Sequence, residues 1–212
     1  FLAASRPSSN RGGLASGCDH SGCSVRAAQD LALYNLTLSE EIDGFDGSAH
    51  IETWNTDPAW QGVRETAEQL TAIDDWCEAI FAANVVFEPL VGELFRSHLV
   101  QHAAPRNGDF VTPTIIGAAE YDFAERDLRY TLAMFELLTD DREFADHNKA
   151  TMDAWLAKYV PMAISAARKL QPLWSQTDVK PPRFEDSLDA AKSRFSGIVT
   201  ELHLDVPKEL AQ

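Results

Sequence analysis

The stretch AEYDFAERDLRYT, which runs from Ala119 to Thr131, has the spacing of a helix that carries carboxylates toward the core of a helical bundle. Apolar and small side chains at helical steps mark the core side of the same helix: Tyr121, Ala124, Leu128, Thr131, Phe135 and Leu138. The acids of this stretch therefore have two possible roles, as ligands of a metal or as a solvated face.

A bundle that binds two iron atoms needs bridging carboxylates and a Glu-x-x-His step on each of two helices. The sequence contains no Glu-x-x-His and no Asp-x-x-His step, since Leu128 follows Glu125 and Leu33 follows Asp30 at that spacing. Leucine cannot ligate iron. We interpret the charged side chains of the stretch as a solvated or interface face: Glu120, Asp122, Glu125, Arg126, Asp127 and Arg129.

The length, net charge and cysteine count of the chain limit the classes of function it can have. The chain has 212 residues, of which 45% are hydrophobic, and a net charge of −15. This size suits one domain with a real core. The acidity argues against binding to nucleic-acid phosphates or to an anionic membrane surface. An odd set of 3 cysteines argues against a disulfide framework and favours a cytoplasmic protein.

Helical periods dominate the chain and predict an all-α protein, with an irregular segment at 1–26 and a helical domain at 27–212. Asp57 and Pro58 predict the start of one helix that runs to Pro89, where it kinks or ends, and then resumes. A loop is predicted at 103–113. Two more helices are predicted at 143–170 and after 184. The last is marked by five apolar positions: Leu188, Ala191, Phe195, Ile198 and Leu202.

The first helical period, after Gly22, predicts an apolar face made of Val25, Ala28, Ala32, Leu36 and Ile42, which Leu31, Leu33 and Leu38 widen. The residues before it contain no signal peptide and no initiating Met, and we interpret them as the remnant of a longer N-terminal region.

The segment CDHSGC, residues 18–23, could supply three zinc ligands from Cys18, His20 and Cys23. Structural zinc takes four ligands. The other cysteine, Cys77, has the pattern of a core residue, which favours a glycine-rich loop over a zinc site. The role of the three ligand-type residues stays undetermined.

Two further metal candidates are weaker. His98 and His102 lie at a four-residue step on one helix, but no acid lies between them to act as a general base, which favours a surface or interface pair. An all-carboxylate site would have to come from a group of acids in the region 65–78: Glu65, Glu68, Asp74, Asp75 and Glu78.

Tryptophan is frequent, with 5 residues at positions 54, 60, 76, 155 and 174. Since tryptophan is enriched at protein–protein contacts, Trp54, Trp60 and Trp174 are candidates for contact with a partner. The alternative is that all of them fill the core.

Long stretches of the chain resemble one family. They include WNTDPAWQGVRETAEQLTAIDDWCEAIFAANVVFEPLVGELFR, AQDLALYNLTLSEEI, GDFVTPT, ERDLRYT, LQPLWSQ and RFEDSLDAAKSRF, together with the closing PKEL. They are similar to the small (β) subunit of the hydroxylase in bacterial multicomponent monooxygenases, most of all to the propane monooxygenase type. The resemblance covers nearly everything from Ala27 onward.

The resemblance implies a ferritin-like helical bundle without its own di-iron site, in an α₂β₂ assembly whose large (α) subunit holds the di-iron centre. It implies a structural subunit with no catalytic, cofactor-binding or metal residues, in a complex that uses O₂ and NADH-derived electrons to hydroxylate a small hydrocarbon such as propane. A reductase with FAD and a 2Fe-2S cluster and a small effector protein would complete the system. Two alternatives remain: a stand-alone ferritin-like protein with an all-carboxylate metal site, and a helical adaptor unrelated to oxygenases.

Overall fold

Helices make up the regular structure of the computed structural model, which describes residues 20–176 and 182–211. In chain order these are α1 (His20–Glu41), α2 (Ala49–Thr56), α3 (Pro58–Thr71), α4 (76–106), α5 (111–139), α6 (Ala145–Lys169) and α7 (Phe184–Glu201). Short 3₁₀ turns lie at Gln171–Ser175 and Lys208–Ala211. Over this part of the chain the all-α prediction is confirmed. None of the helices described is both long and apolar enough to cross a bilayer.

Aspartate side chains define where helices α3 and α4 begin. The Asp57 carboxylate accepts a hydrogen bond from the Ala59 amide at 2.8 Å, with Pro58 in the first turn, as the sequence predicts. Asp75 accepts from the amides of Cys77 at 2.8 Å and Glu78 at 3.1 Å. The helix predicted to run unbroken from residue 57 is therefore two helices, since α3 ends at Thr71 and this cap starts α4.

The loop between α4 and α5 is shorter than predicted, because α4 continues to Arg106 and α5 begins at Val111. Gly108 turns the chain with a φ of 87°, a conformation that glycine adopts without steric cost. The Asp109 carboxylate then accepts hydrogen bonds at 3.0 Å from the amides of Val111 and Thr112. The four residues 107–110 thus reverse the chain and cap α5.

Both long helices contain π-helical turns. In α4 they span Phe81–Gly92 and Leu94–Val100, and Pro89 lies inside the first of them without ending the helix. In α5 the π-helical turn spans Phe123–Leu128. Because a π turn closes a hydrogen bond one residue farther along than an α turn, it shifts the side chains that follow it.

The π turn explains an error in the predicted core side of α5. Tyr121 is 68% exposed, whereas Phe123 is buried. Past the turn, Leu128, Thr131 and Phe135 are buried as predicted. A period of 3.6 residues per turn therefore predicts the buried positions correctly after the π turn and incorrectly at Tyr121, before it.

The core lies around α4, which packs against α6 and α7, while α3 packs against α6. The rings of Phe81 and Phe135 meet edge to face with centroids 5.1 Å apart, and both side chains are fully buried. On α6, Met152 and Tyr159 are buried, with Trp155 and Ile164 packed half-buried beside them. All five positions predicted for the last helix are buried: Leu188, Ala191, Phe195, Ile198 and Leu202.

Helix α1 lies outside this core and packs against the first half of α5. Its half-buried side carries Leu31, Tyr34 and Leu38, and the two leucines belong to the predicted apolar face. The rest of that face, as far as the structure describes it, is exposed: Ala28, Ala32, Leu33, Leu36 and Ile42. The prediction is therefore correct only in part, because the described chain covers α1 along one narrow side.

The start of α1 also differs from the prediction. The helix begins at His20, so residues 20–26 are helical rather than irregular. No proline interrupts this segment, and Gly22 costs a helix only about 1 kcal/mol. Cys18 lies outside the described residues, and so do the side chains of His20, Cys23 and Val25.

Candidate functional site

Three charged side chains form a buried cluster between α4 and α5. The Arg96 guanidinium donates hydrogen bonds to Glu88 Oε2, at 2.5 Å, and to Glu120 Oε1. Ser97 Oγ donates to the other Glu120 oxygen at 2.9 Å. Both carboxylate side chains are only 14% exposed. We call Glu88, Arg96, Ser97 and Glu120 the ionic cluster.

Helical spacing brings this cluster together on α4. Glu88, Gly92 and Arg96 lie four residues apart and therefore on one face. A Cβ atom at Gly92 would collide with the Glu88 carboxylate and would come within 2.9 Å of an Arg96 guanidinium nitrogen. Gly92 thus leaves the space in which the guanidinium crosses the helix surface.

Two carboxylates change the acid–base behaviour of the guanidinium. Burial alone lowers the pKa of Arg96, but Glu88 and Glu120 raise it by more, so the net pKa lies above the ordinary value. Arg96 therefore stays charged at any physiological pH.

A second ion pair joins α4 to α7 beside this cluster. Arg194 Nε lies 2.6 Å from Glu93 Oε2, and Glu93 is 7% exposed. Burial, with a smaller contribution from Glu120, raises the pKa of Glu93 to about 7, although Arg194 and Arg96 act in the opposite direction. The carboxyl group of Glu93 thus binds a proton more readily than an exposed glutamate does.

The chemistry of the ionic cluster does not fit a metal centre. Arg96 supplies the positive charge between two carboxylates that a metal ion would supply in a di-iron bundle, and it uses the carboxylate oxygens that would ligate the metal. On α5, Leu128 is buried, whereas Glu125, three residues before it, is exposed and pairs with Arg129, so this step does not direct two side chains to one inward site. Among the described residues, no three His, Cys, Asp or Glu side chains are placed to hold a metal ion.

The predicted solvated face of α5 is correct only in part. Glu125 and Arg129 are exposed and form a surface ion pair at 2.9 Å. Glu120 is instead part of the ionic cluster, and the Asp127 side chain is 13% exposed. The sequence could not reveal this difference, because Arg96 lies 24 residues before Glu120 and meets it only in the folded chain.

The other metal candidates are dispersed. His98 is half-buried, and burial and the nearby His102 lower its pKa, while His102 is exposed. The acids of region 65–78 have separate partners: Glu65 pairs with Lys169, Glu68 with Arg64, and Glu78 with Lys158 and Tyr159. Asp75 caps α4. These acids do not converge on a common centre.

The tryptophans fall into two groups. Trp174 is 6% exposed and packs edge to face on Phe184, with centroids 5.1 Å apart, so this candidate for partner contact belongs to the chain's own core. Trp60 is half-buried against Phe95, and Trp54, 38% exposed, lies beside it. As partner contacts, Trp54 and Trp60 stay predictions. Trp76, in the first turn of α4, is 64% exposed.

Sequence reasoning missed an exposed row on α5, apolar toward both ends with an ion pair at its centre, which we call the α5 outer face. Its seven residues are spaced three, four or seven apart along the chain and are all exposed: Val111, Ala118, Tyr121, Glu125, Arg129, Ala133 and Leu137. Leu137 is 77% exposed and Tyr121 is 68% exposed. Of these positions, helical periodicity assigned Tyr121 to the core side, and the charge pattern assigned Glu125 and Arg129 to a solvated or interface face.

Comparison with known proteins places this bundle in a family. The family described as Methane/Phenol/Alkene Hydroxylase matches residues 20–142, more than half of the chain. The chain belongs to this hydroxylase family. The resemblance predicted from the sequence is thereby confirmed.

Relatives in the family carry specific names. The propane 2-monooxygenase hydroxylase small subunit of Rhodococcus jostii is 53% identical over 188 residues, which cover 89% of this chain and 51% of that protein. The methane monooxygenase component A beta chain of Methylococcus capsulatus is 30% identical, covering 72% of this chain and 40% of that one. The chain thus spans about half the length of the propane relatives it matches.

A solved structure shares the fold. Phenol hydroxylase from Pseudomonas sp. OX1 superimposes with a TM-score of 0.60 at 21% identity, covering 82% of this chain and 50% of that one. The predicted ferritin-like helical fold is confirmed.

Proposed function

We propose that this chain is a non-catalytic structural β subunit of a di-iron hydroxylase. Its large subunit, in an α₂β₂ assembly, would hold the iron and hydroxylate a small hydrocarbon such as propane with O₂ and NADH-derived electrons. The names of the relatives support this assignment, since the propane 2-monooxygenase and methane monooxygenase proteins are called small subunit and beta chain.

The observation that carries the proposal is the Arg96 guanidinium between Glu88 and Glu120. The bundle keeps inward carboxylates on α4 and α5, but a fixed organic cation neutralises them. A guanidinium cannot bind or activate O₂, so the chemistry of the complex falls to another subunit. The proposed role of this chain is therefore to pack against the large subunit.

The proposed contribution is mechanical support. A di-iron site needs its ligands held within about half an ångström, which requires rigid elements around it. A bundle whose long helices are joined by apolar packing and by buried ion pairs can supply a rigid surface for the large subunit. The reductase with FAD and 2Fe-2S, the small effector protein and a cytoplasmic location complete the proposal and rest on the family resemblance.

Reconstitution tests the assignment. We expect the full β subunit that contains this chain to co-purify with the large subunit of the same hydroxylase. All the iron should belong to the large subunit. With the reductase and effector added, the complex should hydroxylate propane, and the large subunit alone should do so much more slowly.

Metal analysis separates this proposal from its rivals. Stoichiometric iron in the β subunit purified alone would contradict the non-catalytic assignment and favour a stand-alone metal protein. Failure to bind the large subunit would contradict the subunit assignment and favour an adaptor with another partner.

A further inference from the structure

We infer that the α5 outer face is the surface on which the large subunit packs. This inference rests on the proposed function, because it names the surface through which the proposed partner is held.

The geometry of the α5 outer face suits helix packing. Its exposed residues run from Val111 to Leu137, a length of about 40 Å at 1.5 Å per residue. The π turn keeps the row on one side, since steps of four residues from Tyr121 to Leu137 would drift around an ideal α-helix. Ala118 and Ala133 are small and exposed, so they permit another helix to approach closely.

The surface is large and nearly neutral. Further apolar side chains are exposed near it in the chain, with Phe110 before α5 at 69%, Tyr130 on α5 at 51% and Phe144 after α5 at 53% exposure. Together with Tyr121 and Leu137 they offer on the order of 600 Å² of apolar surface, close to the ~800 Å² that each partner contributes to a stable interface. The charges within the row, Glu125 and Arg129, already neutralise each other at 2.9 Å.

The charge of the chain favours a different subunit over a second copy. Two copies would bring a net charge of −15 each to the same interface, and their mutual repulsion opposes association. A large helical subunit avoids this cost if its surface there is apolar or basic. The occupant that fits is therefore an apolar helical face of the larger subunit.

A second exposed apolar surface provides the control. Helix α1 exposes Leu33, at 64%, and Leu36, at 55%. Acidic side chains surround these leucines, with Asp30, Glu40 and Glu41 exposed on the same helix. Leu33 therefore matches Leu137 in residue type and exposure on a different helix and in a different charge environment.

The experiment compares Leu137→Lys and Tyr121→Lys with Leu33→Lys in the full β subunit, by titration against the large subunit. We expect each α5 variant to weaken binding at least tenfold and the double variant to weaken it further. Leu33→Lys should stay within about twofold of the wild type. Leu137→Met, which keeps the apolar side chain, should bind as the wild type does. Circular dichroism and the melting temperature should not change, because all three positions are exposed in the described chain; a melting temperature lowered in the α5 variants would assign the face to the rest of the β subunit and overturn the inference.

The outcomes are distinguishable. If the wild type does not bind the large subunit, the proposed function fails. If the wild type binds and the α5 variants bind equally well, or if Leu33→Lys alone abolishes binding, the inferred surface is wrong. A homodimer of the wild type that Leu137→Lys dissociates would assign the face to a second copy and would also overturn the inference.

Discussion

Each side of α5 departs at particular residues from the usual arrangement of a soluble helix. The inner side buries the charged Glu120 carboxylate together with Phe123 and Phe135, whereas the outer side exposes Tyr121 and Leu137 to solvent. Soluble helices ordinarily bury apolar groups and expose charged ones. The buried charge is stable because Arg96 compensates it. The exposed apolar row has no such compensation within the described chain, so the two sides should respond very differently to the same kind of substitution.

The largest difference is expected from removing an apolar side chain on each side. Phe135→Ala should lower the free energy of unfolding by about 4 kcal/mol, because it leaves a cavity in a fully buried site. Leu137→Ala on the outer side should change it by less than about 0.5 kcal/mol. Urea denaturation of the two variants measures both values. Equal losses would show that the outer row is already packed within this chain.

The second-largest difference in stability is expected from removing an arginine charge in the ionic cluster and one on the α5 outer face. Arg96→Met leaves Glu88 and Glu120 facing each other in a buried site and should cost about 3 kcal/mol. Arg129→Met breaks an exposed ion pair with Glu125 and should cost less than about 0.5 kcal/mol. Adding Glu88→Gln and Glu120→Gln to Arg96→Met should recover part of the loss. If it does not, the guanidinium acts through its packing and not through its charge.

A pH effect of intermediate size should come from Glu93. Its pKa is raised from 4.5 to about 7 in the folded chain, so the folded state binds the proton more tightly than the unfolded state. This contribution to stability is fully present below about pH 4.5 and is lost as the pH rises through 7, which amounts to roughly 2 kcal/mol between pH 5 and pH 7. The groups that face Glu93 are Arg194 of α7, Glu120 of α5 and Arg96 of α4.

Glu93→Gln isolates this contribution, since it removes the titration and keeps the shape. The pKa of His98 is lowered, so its contribution has the opposite sign, with stability rising as the pH passes its titration range. The measurement is therefore the difference between wild type and variant in the melting temperature across pH 5–7. Parallel curves would show that Glu93 does not titrate in this range.

The smallest effect on stability is expected from the Asp109 cap at the N-terminus of α5. Asp109→Ala removes the hydrogen bonds to the amides of Val111 and Thr112 and should cost about 1 kcal/mol. Asp109→Asn and Asp109→Ser retain a capping oxygen and should cost less. A matching loss in the Asn variant would point to its 3.4 Å contact with Tyr34 of α1, which involves the charge, as the source of the effect.

Local rules predicted the regions where the helix is regular and its neighbours cover a full side. Helix α7 follows a constant three- and four-residue step from Leu188 to Leu202, and every predicted core position is buried. Helix α1 has an equally good pattern but is covered along one narrow side, so its apolar period did not separate the half-buried positions from the exposed ones. Amphipathic spacing shows that a face exists, and the partners that reach it decide whether it is buried.

The missing His of a Glu-x-x-His step on α5 is visible in the sequence, but the ionic cluster could not be predicted from it. Its members come from two helices, and the decisive feature on α4 is the missing Cβ of Gly92, which has no signature in charge or hydropathy. Similarly, Trp174 has the residue type of an interface anchor, yet the 3₁₀ turn at Gln171–Ser175 places its ring against Phe184 in the interior.

The π turn at Phe123–Leu128 changes the helical phase of α5, so the positions before and after it follow different registers. Deleting a single residue within it would leave an unbroken helix of nearly the same length. Everything beyond the deletion would nevertheless rotate by about 100° relative to what precedes it. An insertion or deletion in this segment would therefore move side chains on one end of α5 between the interior and the surface. When homologous chains are aligned, the position of a gap in this segment decides which buried and exposed residues are compared.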